Sequence, residues 1–503
     1  MTRPLTRPLT PSRNAGVPAA RRPATRLGTT HRSVPRSPTV TVTDLTPDTP
    51  AAVFAGLLGA DRVVPGGAEA SAYLRDFSWY SPVLENALAD TTVDAVLRPA
   101  TVEELRACVA TAARLGVPVT LRGAGTGNYG QSLPLQSGVV IDVRGIAGVL
   151  DVQPGRISVL PGTVVKDAED AALAGGQELA VMPSTYRIST ASGFISGGSG
   201  GIGAAANGDL WDDNILAVEL LTVEEEPRTV RLEGDNVRPV LHTYGTIGVL
   251  TRIEMRLVPA HEYTPLIVAF RDFPALTAFA FDLVAGDLHV RLCSVHEATG
   301  AAMLTPIAGL YSPGEDVALL WVDSGDVAAL RERVTAAGGR TIDWSAKPHI
   351  SQFPFSHTIL WARKAEPTSS WLQCEYASDR GEFLAQVAAL RDRYPGVFLQ
   401  HVEFATSAGR TRPLGITPLV GLPDHEESLE ELIAFCRELG LIVMNPHSYV
   451  VEEGGFVGDT AQVVELKTTC DPHGLLNPGK LGDSFFTARG LTPPSARAAT
   501  ARR

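Results

Sequence analysis

The sequence predicts an α+β fold in which a glycine-rich, ligand-binding part precedes a part built on an antiparallel sheet. Up to about residue 260, apolar segments with the two-residue period of strands alternate with segments of helical period and flank two glycine-rich stretches. After about residue 262, two similar sets of strand-like and helix-like segments follow each other. Such a pattern is typical of one large antiparallel sheet with helices on one face, or of two half-sheets related by a pseudo-repeat.

The composition is that of an ordinary globular protein and argues against nucleic acid as a partner. Apolar residues make up 44% of the chain and charged residues 19%. The net charge is −12, and the first 43 residues contain eight arginines and no acid, so the rest of the chain carries −20. Such an acidic body repels nucleic acid phosphates. No run of about 18 apolar residues is present, so we expect no membrane span.

The first and last segments are expected to lie outside the folded part. Residues 1–43 are rich in Arg, Pro, Ser and Thr and lack the apolar region of a secretory signal, which predicts a disordered tail or a targeting segment. Residues 44–87 are interpreted as a lead-in, and residues 486–503 as a disordered tail. We expect a cytoplasmic location, with an organelle as the alternative. The five cysteines show no paired spacing, so they are expected to be buried thiols rather than disulfides or metal ligands.

The first glycine-rich stretch, 122–130, follows a predicted strand–helix–strand unit. An apolar strand is predicted at 93–97, a helix between the N-cap Thr101 and Gly116, and a strand at 117–121. Glycine at every second position of the stretch lets several backbone N–H groups converge on one anion. Arg122 would add a guanidinium suited to a phosphate. A tight surface turn is the alternative interpretation.

The same stretch contains the spacing G-x-G-x-x-G at 125–130, which is also found in Rossmann dinucleotide sites. In those sites the loop opens a helix. Here residues 131–138 contain a proline and have no helical period, and a strand is predicted at 139–143. The sequence therefore does not favour a nicotinamide site of the Rossmann type.

The second glycine-rich stretch, 192–203, is predicted to be an ordered surface without regular secondary structure. It holds too many glycines for a stable helix or strand. It also carries Phe194, Ile195 and Ile202, unlike the polar composition of a flexible linker, which is the alternative. We expect a large, flat ligand to pack against this backbone.

Four motifs together resemble a known family. They are Arg-Gly-x-Gly-Thr-Gly at 122–127, the glycine stretch at 193–203, Tyr-Gly-Thr-Ile-Gly-Val-Leu-Thr at 244–251, and Asp-Pro-x-Gly-Leu-Leu-Asn-Pro-Gly-Lys at 471–480. Their order is similar to that of FAD-linked oxidoreductases with the PCMH-type FAD-binding domain of the vanillyl-alcohol oxidase superfamily, which include glycolate oxidase and D-lactate dehydrogenase. The resemblance implies a two-subdomain FAD-binding domain at 88–260 and a substrate or cap domain with an antiparallel sheet at 261–485.

The resemblance also implies which residues bind FAD. The expected cofactor residues, from the pyrophosphate through the flavin and adenine to the returning C-terminal segment, are Arg122, Gly123, Ala124, Gly125, Thr126, Gly127, Asn128, Ser184, Thr185, Ser192, Gly193, Ser196, Gly197, Ile247, Gly248, Asn477 and Lys480. Thr126 stands where relatives with covalent flavin often have histidine, so non-covalent FAD is expected. The family segment H-x-G-D-G-N-x-H is missing, so no metal site is expected, and neither D-lactate nor glycolate is favoured as substrate.

The expected activity is hydride transfer from an alcohol or hydroxy acid to the N5 atom of FAD, with reoxidation by oxygen or another acceptor. His447 and Tyr449 are candidates for a base or a substrate-orienting pair. His401 and Glu403 alternate on a predicted strand and share one face. Arg363 could anchor a substrate carboxylate. Packing and surface roles are the alternatives for these five residues, and the alternative function is a flavin-binding or electron-transfer subunit without its own substrate chemistry.

Overall fold

Three β-sheets organise the part of the chain that the computed structural model describes, which comprises residues 49–422, 426–457 and 460–482. The predicted tails at 1–43 and 486–503 lie outside these residues. The α+β fold class is confirmed, because the strands are grouped into sheets that are largely antiparallel and helices pack on their faces.

The first sheet has four strands in the order β1-β2-β4-β3. Its strands are β1 (Val63–Pro65), β2 (Ala95–Leu97), β3 (Val119–Arg122) and β4 (Val139–Asp142), and the helices of this region are α1 (Pro50–Leu58), α2 (Pro82–Ala87) and α3 (Val102–Leu115). The strands β2, β4 and β3 are parallel, and β1 is antiparallel to β2. The predicted α3 is confirmed with its caps, since the Thr101 hydroxyl accepts from the Glu104 N–H and Gly116 ends the helix at φ 63°.

The second sheet is antiparallel, with the order β5-β6-β10-β8-β9 and β7 paired to β10. Its strands are β5 (Val149–Gln153), β6 (Arg156–Val159), β7 (Gln177–Leu179), β8 (Ile215–Leu221), β9 (Thr229–Glu233) and β10 (Val249–Pro259), and its helices are α4 (Val165–Ala174), α5 (Ala191–Gly197) and α6 (Ala204–Asn207).

The helix α5 corrects the prediction that the second glycine-rich stretch has no regular structure. Thr190 caps this helix by accepting from the Gly193 N–H, and Phe194 and Ile195 are buried. Capping and burial therefore outweigh the low helix propensity of glycine over these seven residues. Residues 198–203 remain irregular apart from a single bridge.

The third sheet has eight antiparallel strands in the order β14-β11-β13-β12-β16-β17-β15-β18. These strands are β11 (Tyr263–Phe270), β12 (Val290–His296), β13 (Asp316–Asp323), β14 (Arg340–Asp343), β15 (Ser370–Glu375), β16 (His401–Ser407), β17 (Arg410–Leu419) and β18 (Ile442–Met444). The sequence pattern predicted either one large antiparallel sheet or two half-sheets related by a pseudo-repeat, and the structure combines the two. Two four-stranded halves meet at the β12–β16 pairing and form one sheet.

The helices of this part of the chain are α7 (Phe273–Val284), α8 (Ala298–Ala302), α9 (Val327–Ala336), α10 (Ser356–Ala365), α11 (Arg380–Arg393), α12 (Glu426–Glu438) and α13 (Thr460–Cys470). One face of the third sheet packs on α7, α9, α11 and α12, and the other faces the glycine-rich part of the molecule. Along β11, Leu266 and Val268 belong to the core shared with these helices, whereas Ile267 and Ala269 belong to the core shared with the second sheet. The two-residue period of the strand thus separates the two cores.

The segment after α13 returns to the first sheet. Leu476 bridges to Val119 in parallel, and the Asn477 N–H donates to the Val119 carbonyl at 2.7 Å. All five cysteines are buried free thiols. In the described ranges, no helix is long and apolar enough to cross a membrane. The division into segments at residues 87 and 260 stays a prediction, although β1 lies in the predicted lead-in and pairs with β2.

Candidate functional site

A cavity lies where the glycine-rich loop after β3 faces the segment 183–200 and the segment 242–250. The third sheet and its loops close it with Phe355, Ser356, Gln373, Ile416 and Phe456. The predicted cofactor residues that line it are Arg122, Gly123, Ala124, Gly125, Thr126, Gly127, Asn128, Ser184, Thr185, Ser192, Gly193, Ser196 and Gly197.

The glycine spacing of the loop is explained mainly by close approach of neighbouring side chains. A Cβ on Gly123 would lie 2.2 Å from the Thr190 hydroxyl, and one on Gly127 would lie 2.1 Å from Oε1 of Gln131. At Gly125 it would lie 2.2 Å from the Arg122 guanidinium, and φ there is also positive, at 68°. Conformational freedom is therefore needed at one of these three glycines, and the absence of a side chain at all three.

The part of the loop that lines the cavity carries main-chain N–H groups without protein acceptors. Among the described residues, no protein acceptor pairs with the main-chain N–H groups of residues 124–128. The next N–H, that of Tyr129, donates to Oε1 of Gln131 at 3.0 Å. Five successive unpaired donors in the wall of a cavity form a nest that suits an anion such as a diphosphate.

Arg122 supports this nest from behind instead of offering its guanidinium to an anion. Its Nη1 donates to the carbonyl of Tyr73 at 3.1 Å and to the Ser132 hydroxyl at 3.0 Å. Its Nη2 donates to the carbonyls of Arg75 at 2.5 Å and Ala72 at 3.4 Å. The expectation that this side chain faces a phosphate does not match the geometry, because both of its terminal nitrogens already donate to protein acceptors.

The opposite wall carries a row of hydroxyl groups. Ser189 lies between Thr126 and Thr185, with oxygen–oxygen distances of 2.9 Å and 2.7 Å. The Ser184 hydroxyl is 3.0 Å from Nδ1 of His357. These hydroxyls can exchange donors and acceptors with a polar ligand that crosses the cavity.

Four predicted cofactor residues lie behind the cavity wall. Ile247 is buried in the core, and a Cβ on Gly248 would lie 3.2 Å from that of Leu220. Asn477 donates through Nδ2 to the carbonyls of Gln131 at 2.9 Å and Tyr244 at 2.6 Å.

Lys480, the fourth of these residues, donates to the carbonyl of Gly130 at 2.6 Å, and burial lowers the pKa of its ammonium group to about 7. Asn477 and Lys480 therefore hold the loop from outside instead of lining the cavity.

The structure does not bring His447 and Tyr449 to the cavity. Nε2 of His447 lies 2.8 Å from the carbonyl of Trp371, so this nitrogen must be the protonated one, and Nδ1 accepts from the Ser81 hydroxyl at 2.7 Å. Both ring nitrogens are thus occupied, and burial lowers the pKa of this imidazole to about 4. Tyr449 packs among leucines beneath Lys480. The expected base role does not match this geometry.

His401, Glu403 and Arg363 also lie outside the cavity lining. His401 and Glu403 do share a face of β16, where Nε2 and Oε1 are 2.8 Å apart, but they form a buried polar cluster with Ser294. Arg363 donates to the carbonyl of Ser369 at 2.6 Å. In the described residues, no group of three or more His, Cys, Asp or Glu side chains could hold a metal ion.

Sequence reasoning missed the aromatic end of the cavity. His242 and Tyr244 both have φ near +55°, and their N–H groups donate to the carbonyls of Ile195 and Ser196 at 2.9 Å and 2.8 Å. Phe456 packs on His242 with ring centroids 3.8 Å apart, and the Tyr129 hydroxyl donates to Gln373 at 2.9 Å. Tyr244 is the first residue of the motif at 244–251, and the position of His242 two residues before this motif was the available signal.

His242 differs from His447 in having a free lone pair. Its Nδ1 lies 2.8 Å from the carbonyl of Gly198 and must carry the proton, so Nε2 is the unprotonated nitrogen. Neither this Nε2 nor the Tyr244 hydroxyl has a partner among the described residues. Burial lowers the pKa of His242 to about 4, which keeps the ring neutral at neutral pH. Unpaired buried polar atoms at a cavity wall indicate a ligand that completes their hydrogen bonds.

These features fit FAD. The nest of five N–H groups suits the diphosphate, and the glycine-lined walls admit a large ring system at close range. The aromatic end suits a flat ligand with polar edges, because rings and unpaired polar atoms occur there together.

Comparison with known proteins agrees with this fit. A family model described as an FAD binding domain matches residues 93–231. The chain is 29% identical over 422 residues to glycolate oxidase subunit GlcD of Escherichia coli, covering 76% of this chain and 83% of GlcD. It is 22% identical over 455 residues to an uncharacterized FAD-linked oxidoreductase of Mycobacterium tuberculosis, covering 85% of this chain and 97% of that protein.

A solved structure of alkyldihydroxyacetonephosphate synthase shares the fold, with a TM-score of 0.65, 15% identity and coverage of 88% of each chain. FAD is the cofactor that these matches support. The resemblance predicted from the sequence is thereby confirmed: the chain carries an FAD binding domain and is similar to FAD-linked oxidoreductases, among them glycolate oxidase subunit GlcD.

Proposed function

We propose that this chain oxidises a CH–OH group of a small molecule and passes the electrons to an acceptor such as oxygen. The observation that carries the proposal is the run of five unpaired N–H groups at 124–128, facing a hydroxyl-lined wall and ending at an aromatic pocket with an unprotonated imidazole nitrogen. Bound FAD supplies the hydride-accepting ring, a chemistry that side chains lack. The name glycolate oxidase carried by a relative supports a CH–OH substrate.

Different residues of the cavity lining bind the cofactor and orient the substrate. The nest at 124–128 binds the diphosphate, and Thr126, Thr185 and Ser189 satisfy the polar groups beside it. Gln373 and Tyr244 orient the substrate at the aromatic end, and Phe456 excludes water from it.

His242 accepts the substrate hydroxyl proton at Nε2, because it is the one histidine among the described lining residues and that nitrogen is free. A neutral imidazole is the form required for this step.

His242→Gln tests this role, with His447→Gln as the matched control. Both imidazoles are buried, and burial lowers the pKa of each to about 4, but only His242 lines the cavity. We expect His242→Gln to retain FAD and to slow anaerobic reduction by substrate about 10²- to 10⁴-fold. His447→Gln should reduce its flavin at nearly the wild-type rate. Equal rates for the two variants would contradict the assignment.

We infer that the FAD is non-covalent. Thr126 occupies the loop position where a tethering histidine would stand, and its hydroxyl contacts Ser189. Precipitation of the purified protein with acid should therefore leave the flavin in the supernatant. If the flavin stayed with the precipitate, His242 would be the first candidate for the tether.

The test of the whole proposal is anaerobic bleaching of the visible flavin band by a panel of alcohols and hydroxy acids. Bleaching by at least one compound supports the proposal. A band that no compound bleaches supports instead a flavin-binding or electron-transfer subunit, a role to which the word subunit in the name of GlcD also points. Within the proposal, residues 88–260 form the FAD-binding domain and also supply His242 and Tyr244 to the substrate, residues 261–485 form the substrate or cap domain, and the compartment is the cytoplasm.

A further inference from the structure

A second cavity, of about 430 Å³, adjoins the cofactor cavity. The two cavities share one lining residue, Phe456, which stands between them. At the outer end of the second cavity, Ile442 is 59% exposed and Arg238 is exposed as well. A molecule entering from solvent at this end would reach Phe456 and then the aromatic end of the cofactor cavity.

One face of the third sheet forms a continuous floor under both cavities. Gln373 lies opposite Ile416 and Met444, and two residues further along β15, Glu375 lies opposite Leu414 and Ile442. Residues directly opposite each other, and residues two apart on one strand, share a face. In the cofactor cavity this floor consists of Gln373 and Ile416. It continues into the second cavity with Glu375 and with Arg412, which lies two residues from Leu414 on the same strand.

The cationic side chains of the second cavity are already paired with acids. Arg412 binds Glu375 through two contacts of 2.6 Å and 3.0 Å, and its Nη1 lies 2.6 Å from Oδ2 of Asp209. Arg238 lies 3.0 Å from Asp235 and 3.9 Å from Asp213. These are the two basic residues of the described lining, and two of their four carboxylate partners, Asp209 and Glu375, line the cavity as well. Among the described lining residues, the partly buried cation, Arg412, is therefore already paired, and Arg238 forms solvent-exposed ion pairs at the outer end.

The remaining walls of the second cavity are largely apolar. They are formed by Trp211, Leu241, Met444, Phe456 and Val463, among others. Trp211 stacks on Phe456 with an angle of 9° between the ring planes and 6.4 Å between centroids. Burial of a flat or branched apolar group against these rings is favourable, whereas a carboxylate would lose its hydration without gaining a partner.

We propose that this second cavity is the substrate chamber and that it selects an uncharged alcohol with an aromatic or branched apolar group over a hydroxy acid. The proposal rests on the proposed function for the reaction itself and adds the class of substrate. It places the apolar group beside Trp211 and Phe456, with the hydroxyl directed past Phe456 toward His242.

Binding to the reduced holoprotein tests the proposal separately from turnover. The purified protein with its flavin is reduced chemically under anaerobic conditions, and two ligands that share a skeleton, 1-phenylethane-1,2-diol and mandelate, are titrated by calorimetry. We expect the diol to bind at least about tenfold more tightly than mandelate. Equal binding, tighter binding of mandelate, or binding of neither ligand would overturn the proposal, even if another compound bleaches the flavin.

Removing the carboxylate partners of Arg412 should allow the second cavity to bind a carboxylate ligand. In the double variant Asp209→Asn/Glu375→Gln this guanidinium loses both carboxylate partners, so the affinity for mandelate should rise about tenfold or more while that for the diol stays within about twofold. The single variant Glu375→Gln removes the bidentate partner alone and should show a smaller gain in the same direction. Asp287→Asn, which removes the exposed partner of Arg333, is the matched control and should change neither affinity. A folded variant without any gain for mandelate would overturn the role assigned to charge.

Discussion

At the scale of single residues, Gly125 is constrained from two sides. Its φ of 68° disfavours any side chain, and a Cβ would lie 2.2 Å from the Arg122 guanidinium. That guanidinium in turn donates to the carbonyls of Ala72, Tyr73 and Arg75, so a methyl group at position 125 would disturb both the loop and the segment packed behind it. The unpaired N–H groups of the loop depend on this arrangement for their direction.

We therefore expect Gly125→Ala to lose FAD. The positive φ alone costs about 1 kcal/mol for alanine, and displacement of Arg122 adds to it. The ratio of flavin to protein absorbance after gel filtration should fall at least about tenfold. Gly155→Ala is the control, because φ there is 80° but no atom lies within 4 Å of the added Cβ. Full flavin content in Gly125→Ala would refute the importance of the nest.

His447 leads to a pH prediction at the same scale. Burial lowers its pKa to about 4, below the ordinary value of about 6.5. The unfolded state therefore binds the proton more tightly, and the free energy of unfolding falls as pH drops from about 6.5 toward 4. From pH 7.5 to 5 this one group lowers it by about 2 kcal/mol.

His447→Gln lacks this titration. At pH 7.5 the free energy of unfolding of this variant should be about 1–2 kcal/mol below that of the wild type, because the hydrogen bonds to Ser81 and Trp371 are lost. At pH 5 this difference in the free energy of unfolding should be smaller. Urea unfolding at the two pH values measures both quantities. A deficit that is constant or larger at pH 5 would show that His447 is not held neutral in the folded protein.

At the scale of elements, the segment after α13 fastens the cofactor loop to the rest of the molecule. Asn477 has φ 44°, and its amide joins the carbonyls of Gln131 and Tyr244, which belong to opposite walls of the cavity. Three residues further along the segment, the Lys480 ammonium donates to the carbonyl of Gly130 in the loop. The segment therefore sets the spacing of the two walls without touching the cavity.

Asn477→Gly tests this function, since glycine tolerates the positive φ and the substitution removes the two hydrogen bonds donated by Nδ2 together with the long one that Oδ1 accepts from the Thr120 hydroxyl at 3.5 Å. Two buried carbonyls lose their donors, so we expect a loss of about 2–4 kcal/mol in the free energy of unfolding and weaker retention of FAD. Ala408→Gly, at φ 48° in the β16–β17 turn, is the control and should be neutral or slightly stabilising. Chemical denaturation and flavin content measure the two effects, and a neutral Asn477→Gly would contradict the fastening role.

The same elements show why sequence patterns predicted some features and missed others. The helix α3 and the glycine loop were predictable, because caps, periodicity and glycine spacing are local signals. The carbonyls that accept from Arg122 lie 47–50 residues away, and Asn477 reaches Gln131 across 346 residues, distances at which one sequence carries no local signal. His447 is near the C-terminal segment in sequence, but its ring turns to Ser81, 366 residues earlier. Proximity along the chain therefore did not predict that the His447 side chain lies outside the cavity lining.

At the scale of the whole molecule, FAD would bridge the glycine-rich part and the third sheet. Direct polar contacts already join the loop to the third sheet and to α10, since Tyr129 donates to Gln373 on β15 at 2.9 Å and Asn128 donates to the Ser356 hydroxyl at the start of α10 at 2.9 Å. Both pairs line the cavity. A ligand that contacts both sides binds only the assembled state, so its binding energy adds to the stability of the assembly.

We therefore expect FAD to stabilise the folded chain as a unit. At a free FAD concentration of about 100 times Kd the gain is about 2.7 kcal/mol, which corresponds to a rise of about 3 °C in Tm for a chain of this size. Scanning calorimetry should show one transition that moves as a whole with FAD concentration. Gln373→Leu should shift less at equal FAD, because the third sheet then lacks its hydrogen bond to Tyr129 at the cavity wall. Two separate transitions, of which only one responds to FAD, would mean that the third sheet does not share in cofactor binding, and the placement of the substrate chamber against the flavin would then lose its physical basis.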